Sequence, residues 1–202
     1  MVYKCNVIVI SDDDNLPGKT CLCNIIINKT FDNDNYYMLN TKKFEFKCIR
    51  SGEEYNIYFW DTLRDRFRIG NLLLLKIFSP CLIIYVFNLA LNSYENFNEY
   101  TSRISEDFID KLIEKSNNNS IIYLVGTKLD LNDNSSILND IERKANTLIE
   151  QKKVKKYFKV SSRTGQGIEK LIDNIITEIR ELLYEEVKED NYKSRFNKYI
   201  NY

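Results

Sequence analysis

Histidine is absent from this chain of 202 residues. Without imidazole, a zinc site would have to rest on thiolates. The five cysteines (Cys5, Cys21, Cys23, Cys48 and Cys81) form no CxxC pair, so no zinc site is expected. Their odd number and their place in apolar runs predict reduced thiols packed as small core residues, which points to the cytosol. Net charge is also lacking: 29 basic and 29 acidic residues cancel. A diffuse electrostatic grip on nucleic acid is therefore not expected, and any anion held here must be held by local geometry. Long apolar runs are missing too. The longest, such as Cys81 to Phe87, fall far short of the roughly 20 residues a membrane span needs. The first ten residues lack a signal-peptide layout. No glycine stands at position 2 and no cysteine follows Cys81, so no direct lipid anchor is expected.

What is present reads as one globular domain. Apolar residues make up 44% and charged residues 29%, a balance that suits a soluble fold, and the length suits one well-buried core. Val7 to Ile10 is a strand candidate, followed by a polar loop and a helix from Lys19 to Asn28. Phe44 to Arg50 and Tyr55 to Asp61 flank a Ser51-Gly52 turn as a hairpin. Cys81 to Phe87 and Ile121 to Val125 are continuous apolar runs, as in strands covered on both faces. Helices are expected over Tyr94 to Lys115, Ser136 to Lys152 and Gly167 to Val187, with a short strand, Tyr157 to Val160, before the last. Strands alternating with helices predict an α/β fold: a doubly wound, mostly parallel six-stranded sheet with one antiparallel edge strand and flanking helices. The domain is assigned to residues 1–184, and 185–202 to a polar tail or helix extension.

After the first strand comes SDDDNLPGKT, ending in Gly18-Lys19-Thr20 where a helix should begin. Unpaired N–H groups and the dipole of a helix N-terminus suit phosphate. Lys19 would reach the outer phosphates and the Thr20 hydroxyl would ligate Mg2+. The pattern GxxxxGK[ST] asks for glycine at position 13, which is Asp13 here. A register with Ser11 in the glycine position and a loop two residues longer fits the end of the apolar run at Ile10 better. In either register the early glycines are missing and Asp12, Asp13 and Asp14 are present. A carboxylate about 6 Å from a phosphate charge costs on the order of 2–3 kcal/mol at an effective dielectric near 20, so these acids are expected to face solvent. By itself the loop also reads as a solvated acidic turn before a helix.

Two further places carry chemistry. Phe59-Trp60-Asp61-Thr62 ends a strand on a carboxylate able to hold Mg2+ through water. Thr127-Lys128-Leu129-Asp130 ends a buried strand, and Ser161-Ser162-Arg163 follows the next one about 30 residues later. Thr127 to Asp130 resembles the [NT]KxD signature of guanine-nucleotide proteins, and the chemistry suits it: a carboxylate at Asp130 can accept from both N1–H and the 2-amino group of guanine, a donor pair that adenine lacks. The Lys128 stem can lie along the base.

Together these segments resemble the Rab/Ras family of small GTPases over Tyr3 to about Leu183. Trp60-Asp61-Thr62 with Arg66-Phe67-Arg68 is similar to the family's WDTAGQERFR, TKLD to its [NT]KxD signature, and Ser161-Ser162-Arg163 to its SAK loop. CLIIYVFNLALNSY is similar to VVVYDITNxxSF, with Asn88 at the Asp position. The resemblance implies a G domain that binds GTP or GDP with Mg2+. Gly18, Lys19, Thr20 and Thr41 would hold phosphate, and Thr20, Thr41 and Asp61 the metal. Thr127, Lys128, Asp130, Ser161, Ser162 and Arg163 would hold guanine, a backbone N–H of the last loop reading O6. Thr41, before Phe44-Glu45-Phe46, stands at the first switch, although an ordinary loop threonine is an equal reading. Effector, exchange and activating proteins would bind the switch segments. A cytoplasmic regulator of vesicle traffic without a lipid would reach its membrane through a partner.

The chain departs from the family where hydrolysis is organised. Leu63-Arg64-Asp65 replaces Ala-Gly-Gln-Glu, so the glutamine that orients the attacking water is missing and hydrolysis is expected to be slow. The alternative is a pseudo-GTPase scaffold that keeps the fold and does not cycle. A nucleotide kinase would explain Gly18-Lys19-Thr20 but neither base loop.

Overall fold

A computed structural model of the protein describes residues 2–11, 18–31, 41–50, 52–62, 75, 82–90, 104–116 and 120–182. The acids Asp12 to Asp14, the segment Leu63 to Arg68, residues 94–103 of the helix expected from Tyr94 and the tail 185–202 lie outside these residues, and the described Ile104 and Ser105 are not helical, so that helix begins only at Glu106.

Six strands are described: β1 Val2–Ile10, β2 Lys42–Arg50, β3 Glu53–Asp61, β4 Leu82–Asn88, β5 Ile121–Thr127 and β6 Lys156–Lys159. They form one sheet in the order β2-β3-β1-β4-β5-β6. All neighbours are parallel except β2 and β3, which make the expected hairpin with Arg50 opposite Glu53. The helices are α1 Lys19–Asn28, α2 Glu106–Lys115, α3 Ser135–Glu150 and α4, described over 168–182. Where both bounds of an expected element are described, they fall within one or two residues, save that β1 to β3 begin earlier than their apolar runs. The backbone keeps pairing beyond the apolar run because the β1–β3 register extends back to Val2 opposite Glu54.

The continuous apolar runs fold as strands because both faces of the sheet are covered. Val7 and Val9 of β1, Leu82, Ile84 and Val86 of β4, and Tyr123 and Val125 of β5 face one core, packed by Leu22, Cys23 and Ile26 of α1 and by Leu171, Ile175 and Ile179 of α4. The intervening residues, Ile8, Ile10, Ile83, Tyr85, Phe87, Ile122 and Leu124, face the other core with Phe108, Ile109 and Leu112 of α2 and Ile141, Ala145 and Leu148 of α3. A side-chain period of two thus separates one hydrophobic run into two layers. Cys23 is a buried core residue, and Cys21, Cys23 and Cys48 are not disulfide-bonded. Cys5 is disulfide-bonded, which corrects the expectation of reduced thiols at that residue. Among the described residues no helix is long and apolar enough to cross a membrane.

In open α/β sheets, ligands bind outside the carboxyl ends of the strands where the strand order reverses. Here that point lies between β1 and its neighbour β4. Ser11 follows β1, Asp61 ends β3, Asn88 ends β4, Thr127 ends β5 and Ser161 lies just past β6. All five lie at the same edge of the sheet. The antiparallel β2 starts at this edge too, so Lys42 pairs with Asp61.

Candidate functional site

The edge carries two clusters. The first surrounds the start of α1. Helices α2 and α3 are capped by side chains: Ser105 accepts from the Phe108 N–H, and Asn134 from those of Ser136 and Ile137. At α1 the cap position is Gly18, at φ 81° and without a side chain, and the first turn contains no acid. The left-handed backbone there suits glycine, and its Cα faces Thr127, whose Oγ1 would lie 3.5 Å from an added Cβ. The loop end therefore rests against the end of β5. The first helical hydrogen bond runs from Leu22 N–H to Gly18 C=O at 2.9 Å. The N–H groups of the first turn come before that ladder and are the natural donors for an anion.

Within this cluster Lys19 is buried, and its Nζ donates to Ser11 Oγ at 2.8 Å. Thr20 Oγ1 donates to Asp61 Oδ2 at 2.6 Å. Asp61 is 1% exposed, and its other oxygen, Oδ1, is buried without a hydrogen-bond partner. Burial pushes the carboxyl up to about 6, against the lowering effects of the Thr20 hydroxyl, Lys19 and Lys42. A buried carboxylate with an open oxygen fits a cation. Thr20 fits as well, because its proton is directed at Asp61 and its lone pairs stay available to a metal. No group of three His, Cys, Asp or Glu among the described residues could hold a metal. That donor set suits Mg2+, which is usually held by one or two protein ligands with phosphate oxygens and water. Thr41 is half-buried just before β2. The register sets it near Asp61, but its hydroxyl forms neither of the two hydrogen bonds that organise this cluster.

The second cluster joins the ends of β5 and β6. Lys128 adopts a left-handed conformation, φ 59°, and starts a 3-10 turn over Leu129–Leu131. The Leu129 N–H donates to Val160 C=O at 3.1 Å, which ties the TKLD turn to the end of β6. Ser161 Oγ then donates to Asp130 Oδ1 at 2.6 Å and accepts from the Thr164 N–H at 3.1 Å. Thr127 is buried, and its Oγ1 donates to Phe87 C=O at 3.2 Å. Gly126 is needed beside it, because a Cβ there would come within 2.8 Å of the Leu89 side chain. Asp130 and Arg163 are exposed, Lys128 is half-buried, and Ser162 is 6% exposed with its Oγ unpartnered.

Three supporting residues escape a reading by motif. Ser11 was the stand-in for a glycine, yet its hydroxyl receives Lys19. Buried Asn132 donates through Nδ2 to Leu89 C=O at 2.7 Å and accepts from the Asn134 N–H, bracing the base turn against the loop after β4. Asn88 accepts the Ala90 N–H at 2.8 Å and shapes that loop. An asparagine two residues after TKLD is the one signal that could have pointed to Asn132.

The base turns and the phosphate turn therefore lie along one edge of one sheet, with Gly18 against Thr127. No curated protein matches the chain. The model of the Ras family matches residues 6–181, nearly all of the described structure and both clusters. The chain belongs to the Ras family of small GTPases.

Proposed function

We propose that the chain binds GTP and GDP with Mg2+, hydrolyses GTP slowly, and works as a Rab-like switch in vesicle traffic. The observation that carries the reading is the pairing of a Lys19–Ser11 and Thr20–Asp61 cluster at the start of α1 with an Asp130–Ser161 cluster at the ends of β5 and β6. In this reading Gly18, Lys19, Thr20 and Thr41 hold the phosphates, and Thr20, Thr41 and Asp61 hold the metal. Thr127, Lys128, Asp130, Ser161, Ser162 and Arg163 frame the guanine. When bound, Mg2+ would neutralise charge on the outer phosphates. Ras family membership carries with it nucleotide binding and partners that regulate or read the bound state. The Rab-like assignment is finer and rests on Trp60-Asp61-Thr62 with Arg66-Phe67-Arg68. Slow turnover rests on Leu63-Arg64-Asp65 in place of the water-orienting glutamine.

The acids Asp12, Asp13 and Asp14 favour a second reading, a pseudo-GTPase scaffold that does not cycle. Nucleotide released from the purified protein by denaturation, followed by single-turnover assays with GTP, separates the two. The switch reading expects GDP or GTP to co-purify, EDTA to release it, and GTP to convert slowly to GDP. Bound GTP that never converts selects the scaffold. Protein that neither carries nor takes up guanine nucleotide rejects the switch reading and the base-site assignment and leaves the scaffold.

A further inference from the structure

The end of β1 carries a side chain where the phosphate-loop pattern asks for none. Ser11 takes the place of a glycine in the register set by the end of the apolar run. Its hydroxyl accepts from Lys19 Nζ at 2.8 Å, and the two residues are 2% and 6% exposed. The chain just before it is held on an inner strand of the sheet. Ile10 pairs with Tyr85 of β4 and Val9 with Asp61 of β3. Thr62 donates to the Val9 C=O through its N–H at 3.2 Å and through its Oγ1 at 2.9 Å. Lys19 opens α1 directly after Gly18. The contact therefore runs from the first residue of α1 straight to the end of a braced strand.

A lysine stem is flexible, so fixing its ammonium at one point carries an entropic cost. A buried ammonium also needs acceptors. Ser11 meets both needs without bringing charge. A carboxylate in its place would offset the charge that attracts phosphate, whereas a neutral hydroxyl takes up one donor and leaves that charge whole. Glycine would offer no side-chain acceptor at all. We propose that Ser11 is a positioning residue: its hydroxyl fixes the Lys19 ammonium against the end of β1 before nucleotide arrives, so that the charge stands ready for the outer phosphates. This rests on the nucleotide-binding reading above and adds to it a residue that the phosphate-loop pattern does not contain. Affinity is gained because the lysine is already ordered when the ligand binds.

A double-mutant cycle tests whether the serine acts through the lysine. GDP affinity is measured in Mg2+ by competition with a fluorescent guanine nucleotide. Ser11→Ala is expected to weaken binding roughly 3- to 10-fold. In a Lys19→Met background, which keeps an apolar stem and removes the ammonium, the same change should alter affinity by less than about 2-fold. Ser11→Thr keeps the hydroxyl and should stay within about 2-fold of wild type. Ser11→Gly should behave as Ser11→Ala and replaces it if the alanine variant does not fold. Equal losses in the two backgrounds overturn the proposal, because the serine then acts without the ammonium. A threonine variant as weak as the alanine one overturns it too, and decides the matter where the Lys19→Met proteins bind too weakly to compare. Ser11→Ala with wild-type affinity overturns the role of Ser11 and leaves the nucleotide site standing. Wild-type protein that binds no GDP overturns both readings.

Discussion

The two ends of the crevice differ in how much of their bonding is complete before any ligand arrives. At the base end, Asp130 already has Ser161, the TKLD turn is tied to β6 through Leu129 and Val160, and Asn132 braces it against Leu89. This end's one buried side-chain atom without a partner, among the described residues, is a neutral hydroxyl, that of Ser162. At the phosphate end the open atom belongs to a carboxyl, Asp61, buried beside a lysine whose ammonium rests on a serine. An unpaired neutral group costs about 1–3 kcal/mol and a charged one more. The base end is a braced frame whose exposed carboxylate, Asp130, already has a partner and keeps acceptor capacity for a ligand. The phosphate end is a set of charges that needs a polyanion and a cation to balance it.

The contrast breaks most directly at Lys19. Lys19→Ala removes the single buried ammonium of the α1 cluster and leaves the hydroxyl of Ser11, itself 2% exposed, without its donor. Loss of a charge-assisted contact to phosphate is worth about 3 kcal/mol, or roughly 100-fold in affinity for GDP. Equilibrium binding with a fluorescent guanine nucleotide measures it. The effect should be equal for GDP and ADP, since the lysine does not touch the base. A loss confined to guanine nucleotides would mean the two ends are not independent.

Asp130→Ala acts on the other end. It removes the acceptor for the amino edge of guanine and frees Ser161 Oγ. Discrimination between GTP and ATP should fall by about 2 kcal/mol, or roughly 30-fold, with ATP affinity little changed. Competition binding with both nucleotides reads this ratio. Unchanged discrimination would remove the assignment of this turn to the base.

How much of this could be read beforehand follows from where each interaction comes from. The strands were legible because their signals are local, β4 and β5 being unbroken apolar runs, whereas the Ser105 cap that starts α2 inside the stretch expected as one helix from Tyr94 was missed. TKLD was legible because its chemistry sits in four consecutive residues at a strand end. Ser11 under Lys19 and Asn132 against Leu89 were not, because each joins residues that only the folded register brings together. The elevated Asp61 carboxyl was hidden for the same reason. It is set first by burial, which the sheet edge and α1 create, and no sequence window contains it.

That carboxyl gives the smallest and most direct comparison of the two ends, in protein without metal or nucleotide. Its value in the fold, about 6, lies above its ordinary 3.8. Between those values the folded state binds the proton more readily than the unfolded chain, so stability rises as pH falls. The gain begins as pH drops below about 7 and levels off near 4, and between pH 7 and pH 5 it amounts to about 1 kcal/mol. Urea unfolding of the metal-free protein at both pH values measures it, and Asp61→Asn isolates it. The amide keeps an acceptor for Thr20 and carries no charge, so this part of the pH dependence should disappear. The same variant should be more stable than wild type at pH 7 without metal and should lose the stabilisation that Mg2+ with GDP confers. If wild type and Asp61→Asn share one pH profile, the carboxyl is not held up by burial, and the phosphate end is as complete as the base end before its ligand binds.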